Sequence, residues 1–194
     1  MIRRIVRFAA ALALLALAAC SSIPLGTASK MRGLDYLNDD LASLLLAFDV
    51  PLTLEPVPGA STLGFDITTP ASGERHVAAI LVETDPGELA GTLPPPADGR
   101  NYYLLGFSEA DKQAIREAQA WAKTLPAGSN APAISLSPRF CRTAEIDAAK
   151  TNISVLVALP GATGLAPLLS NQSLATLLAS SPIKDLPNCA GHSG

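Results

Sequence analysis

Hydrophobic and polar positions alternate with a period of two along several stretches of the chain, and each such stretch predicts a strand with one buried face. In "STLGFDITT", Leu63, Phe65 and Ile67 share a face, with polar or small residues between them; in "NISVLVALPG", Ile153, Val155, Val157 and Leu159 do the same. The run "RHVAAILVET", Arg75 to Thr84, is apolar on both faces in its middle, which predicts a central strand. Pro70, Ser72 and Gly73 separate it from the strand before, so the two are expected to form a hairpin. "NYYLLGFS" and "PAISLSPRFC" add two further strands.

One stretch has the other period. "SEADKQAIREAQAWAKTLPAG" places Ala114, Ala118, Trp121, Ala122 and Leu125 on one helical face. Ser108 and Asp111 have the spacing of a capping box, acids occupy the first turn and Lys123 the last. The spacing predicts a helix over about 109–124, with Trp121 as a core anchor. "LDYLNDDLASLLLAFDVP" fits both periods: Leu34, Leu37, Leu41, Leu45 and Phe48 are helical, whereas Leu44, Leu46, Phe48 and Val50 alternate. We read a turn over 31–40 and a strand from about Ser43 to Val50, closed by Pro51. "DPGELAGTLPPPADGR" is a surface loop, too proline-rich for a strand; as a docking motif its single short polyproline tract is weak. "GLAPLLSNQSLATLLASSP" is either a short helix over Gln172–Ala179 or an edge strand. The expected fold is mainly β of the α+β type: an antiparallel β-sandwich of about six strands with one inserted helix.

The N-terminus follows neither pattern. "MIRRIVR" carries three arginines, and the run from Phe8 to Ala19 is apolar and uncharged. A bilayer-spanning helix needs about 20 apolar residues, so this shorter run reads as the core of a secretory signal. Leu17, Ala18 and Ala19 directly before Cys20 resemble the lipobox of bacterial lipoproteins. The resemblance implies cleavage before Cys20, acylation of Cys20 and a lasting membrane anchor, since each buried methylene contributes roughly 0.8 kcal/mol. It also implies sorting to the periplasmic face of the outer membrane, because Ser21 and Ser22 stand where a retention aspartate would be. The alternative is an ordinary cleavage site near Ala19 that releases a soluble protein.

This reading changes the composition. Without residues 1–19, 175 residues remain, with 11 basic against 17 acidic residues and a net charge of −6. An acidic surface argues against a nucleic-acid partner and against anionic headgroups as a target. With Cys20 assigned to lipid, Cys141 and Cys189 remain as an even pair, expected to form a disulfide in an oxidising compartment. The competing reading, a metal pair with His192, lacks two further ligands nearby. The organisation expected is a signal over 1–19, a lipidated tether over 20–29 and one periplasmic domain over 30–194. The tether "SSIPLGTAS" spans at most about 30 Å.

The search for chemistry is short. There is no G-x-S-x-G elbow, no H-E-x-x-H, no phosphate loop and no S-x-x-K signature. Asp66 and His76 could join a serine in a triad, but nothing in the sequence singles out a nucleophile. Asn38, Asp39 and Asp40 resemble part of a calcium run without its alternating ligands and glycine, and turn-forming residues explain them as well. "NIS" at Asn152 has the form of a glycosylation acceptor but lies in a strand pattern. No catalytic, cofactor or metal site is assigned. The function expected is that of a noncatalytic cell-envelope lipoprotein with a protein partner. An apolar-ligand binder is the alternative, needing a cavity between sheets or under the helix, and a periplasmic hydrolase comes last.

Overall fold

The structure is a computed structural model that describes residues 34–69, 73–85, 87–126, 131–180 and 186–189. The expected signal, tether and lipid acceptor Cys20 lie outside the described residues, as do the hairpin turn 70–72 and His192.

The fold is mainly β with an inserted helix. Among the described residues the strands are β1 (Leu45–Pro51), β2 (Leu54–Pro56), β3 (Thr62–Thr69), β4 (Gly73–Glu83), β5 (Arg100–Phe107), β6 (Ala131–Ser137), β7 (Phe140–Arg142), β8 (Asn152–Ala158) and β9 (Leu165–Ser173). The helices are α1 (Glu109–Lys123) and α2 (Leu174–Ser180). Seven strands form one antiparallel sheet in the order β6-β3-β4-β5-β1-β8-β9, curled into a half-barrel, and β2 and β7 form a separate ribbon. A strongly curled sheet brings its own inner face together around a core, so the strands form one wrapped layer where about six strands in two packed sheets were expected.

Register explains the core. Opposed residues share a face, and Phe65↔Val77, Leu81↔Phe107, Leu46↔Leu105 and Leu46↔Val157 align the inward rows across the sheet. The 34–50 ambiguity resolves in favour of alternation: Leu44, Leu46, Phe48 and Val50 are all buried. β4 is interior to the sheet, as expected, yet only its inward row is covered; Ile80 on the outer face is 41% exposed. β1 is closed on both faces, with Ala47 on the outer side as buried as Phe48. The turn segment Gly87–Thr92 returns to the far end of the sheet, where Leu89 lines an open groove with Ala158 and Leu159.

Helix α1 lies against the inner face. Ser108 caps it by accepting from the Asp111 N–H at 3.1 Å, as its spacing predicts. The buried stripe is Ile115, Ala118, Gln119 and Ala122, one position away from the expected face, so that Ile115 replaces Ala114 in the core. Buried Gln119 donates to the carbonyls of Tyr36 and Asp39 at 2.9 and 2.8 Å. A polar side chain inside an apolar stripe is tolerated here because its amide is paired. Trp121 is half-buried at the helix edge, with the Arg75 guanidinium 5.6 Å from its ring centre.

At the other end, β9 and α2 share the segment that sequence patterning left open between strand and helix. "PAISLSPRFC" divides at Pro138 into β6 and β7, which belong to different sheets. Cys141 of β7 and Cys189 form the expected disulfide across a separation of 48 residues. The tail around it is also held by the backbone, since Arg142 donates to Pro187 and Cys189 donates to Arg142, both at 2.9 Å. Among the described residues no helix is long and apolar enough to cross a membrane, which says nothing of a β-barrel.

Candidate functional site

The polar residues with catalytic chemistry meet on the outer face of β3, β4 and β6. Asp66 stands opposite His76 on one side and Ala133 on the other, and Gly64 stands opposite Ser135. The Asp66 carboxylate and the His76 Nδ1 are hydrogen-bonded. Ser135 is a diagonal neighbour, with its hydroxyl folded over Gly64. A Cβ at Gly64 would meet Ser135 Oγ and come within 3.6 Å of His76 Cε1, so a side chain there would require the Ser135 hydroxyl to turn away. Ser135 is a serine that strand register alone brings near the pair.

What this group can do is limited by where it sits. A carboxylate on Nδ1 fixes the imidazole tautomer with its Nε2 free to accept a proton, which is the arrangement of a general base. Acyl transfer also requires donors aimed at the developing oxyanion. The neighbouring backbone of β3 is paired on both sides, to β4 and to β6, and has no such donors to spare. The His76 side chain is 57% exposed, and a hydrogen bond so open to water contributes little.

The acidic run at residues 35–40 is occupied by its own turn. Asp35 accepts from the Asn38 side chain at 2.7 Å and from the Leu37 N–H at 3.0 Å, and Asp39 accepts from the Asp35 N–H at 2.8 Å. Asp40 pairs with Arg116 of α1 at 3.1 Å. The Asn38 side-chain bond, followed by the Leu37 amide, holds the Asp35 carboxyl below its ordinary value. The turn thus keeps its charged anchor as pH falls, until that lowered value is passed. These oxygens form the turn, as expected of turn-forming residues.

Asn152 opens β8 opposite Ser173, and its carbonyl accepts from the Arg100 guanidinium at 3.1 Å. Arg100 also binds the Asp49 carboxylate at 2.6 Å, closing the ends of β1, β5 and β8 together. Glu55, Cys141 and Cys189 bring a carboxylate and two sulfurs within 4.8 Å of one another, but sulfurs bonded to each other are not thiolate ligands.

Under α1, where a cavity for an apolar ligand would lie, Leu41, Phe65, Ile67, Ile115 and Ala118 enclose about 20 Å³, the space of a single water molecule. The groove beside Leu89 measures about 470 Å³ and is open to solvent. Neither presents a convergent set of charged groups.

Compared with protein-family models, with curated proteins and with solved structures, the chain has no match in any of the three.

Proposed function

We propose that this chain is a noncatalytic cell-envelope lipoprotein, anchored through lipid on Cys20 to the periplasmic face of the outer membrane, whose domain binds an envelope protein or supports an envelope assembly. The observation that carries the proposal is the division of the cysteines. The Cys141–Cys189 disulfide suits an oxidising compartment and uses both domain thiols, which leaves Cys20, in its lipobox-like context, for the lipid.

Two features support a binding role over the alternatives. The space under α1 is too small for an acyl chain, which weighs against an apolar-ligand binder. The Asp66, His76 and Ser135 group lies on open sheet surface, and the β3 backbone beside it is already paired to β4 and β6, which weighs against a hydrolase.

Crosslinking in intact cells followed by affinity recovery of the full chain tests the partner. The expected result is a defined second envelope protein, recovered at native abundance. Recovery of this chain alone, as monomer or as self-pair, would contradict the proposed role.

A further inference from the structure

The two edges of the seven-stranded sheet differ. β9 is guarded: Pro167 lies within it opposite Leu156, its pairing with β8 carries two register shifts, and Asn171 has a positive φ of 52°. β6 carries no such device between Ala133 and Ser137. That stretch is uncharged and holds an unbroken register with β3 over the whole strand, and among the described residues no strand pairs with its other side.

The sequence of this edge is nearly its own mirror. Pro132, Ala133, Ile134, Ser135, Leu136, Ser137 and Pro138 place like residues at equal distances on either side of Ser135. A proline in an edge strand belongs where its missing N–H would face away from the neighbouring strand. By alternation, Ile134 and Leu136 then turn their backbone N–H and C=O groups outward, while Ser135 bonds to β3.

We propose that β6 is a self-association edge, pairing antiparallel with β6 of a second copy of this chain about a two-fold axis at Ser135. In that register Ile134 of one copy exchanges both backbone hydrogen bonds with Leu136 of the other. Their side chains, half-buried on the inner face, meet as an apolar pair. Pro132 stands opposite Pro138 at each end and limits the pairing to the five residues between. A neutral strip lets two acidic copies approach without like charges in register. The contact is isologous and closes at two, because the remaining edge, β9, is guarded against extension.

The test is Ser135→Cys in the full chain, treated with a mild oxidant in cells and read on a non-reducing gel. Ser135 is exposed, and a residue on the axis of a non-hydrogen-bonded antiparallel pair lies about 4.5 Å from its copy between Cα atoms, within disulfide reach. The expected product is a covalent dimer, with Asn171→Cys on the guarded edge remaining monomeric. In sedimentation, the detergent-solubilised full chain should run as a dimer and Ser135→Lys as a monomer. A monomer for Ser135→Cys, equal crosslinking at Asn171→Cys, or a product at the mass of a different protein would each overturn the proposal. Repeating the oxidation in Cys20→Ser separates self-pairing from anchoring, since the pairing requires no lipid.

Discussion

Replacing Phe48 with alanine is expected to destabilise the domain by about 3–5 kcal/mol, the range for deleting a fully buried aromatic ring. Phe48 has 0% exposure, lies mid-strand in β1 and meets Phe140 edge to face with ring centres 5.7 Å apart. β1 is the strand on which both halves of the sheet depend, pairing with β5 on one side and β8 on the other. A cavity there cannot be closed by moving β1 alone, because its backbone is held in register by both neighbours. Urea unfolding of Phe48→Ala should show a lower midpoint with an unchanged slope. A loss under about 1 kcal/mol would mean that the inner face is not the tightly packed core described above.

Removal of the disulfide is expected to cost about as much. On the chain-entropy model, a link across 48 residues stabilises by about 4 kcal/mol, which for a domain of this size lowers the melting temperature on the order of 10 °C. The double variant Cys141→Ser/Cys189→Ser, followed by thermal unfolding, measures it. The two effects should not simply add. Phe140 precedes Cys141 in β7, and the same ribbon that carries the disulfide presses Phe140 onto Phe48. Releasing the tail should loosen that ring, so that Phe48→Ala costs less in the disulfide-free protein than in the oxidised one. Equal costs in the two backgrounds would show that β7 is held in place without the link.

Legibility in the sequence followed physical locality. β3 and β8 were readable because their inward rows are unbroken, and α1 because its cap, dipole charges and stripe agree. The apolar spacing points to a stripe through the alanines and Trp121, whereas the helix turns Ile115 and Gln119 inward, toward Phe65 and the Tyr36 carbonyl. β2 and β7, three residues each, are too short to show any period, and they form only because Glu55 and Cys141 face one another across 86 residues. The curl of the sheet was illegible for the same reason: the pairing of β6 with β3, across the whole of β4, β5 and α1, leaves no local trace.

The candidate site divides in the same way. Asp66 and His76 stand out by residue type, and a short turn between their strands is enough to anticipate their pairing across the β3–β4 hairpin. Ser135 does not, since it reaches them through Gly64 from a strand placed by long-range pairing. Gly64 was the available clue: a glycine inside an alternating strand marks a close approach. The self-matching pattern around Ser135 was likewise visible as letters, but it acquires meaning only once β6 is known to be an edge.

The proposed envelope role requires Cys20 as the lipid acceptor, and fractionation of a Cys20→Ser variant tests that most directly. The wild-type chain is expected in the membrane fraction, shortened by its signal and heavier by its acyl chains on mass spectrometry. Cys20→Ser should accumulate as unprocessed precursor or leave the membrane fraction. A Cys20→Ser protein that is processed and fractionates like wild type would contradict the lipid anchor and the envelope role built on it.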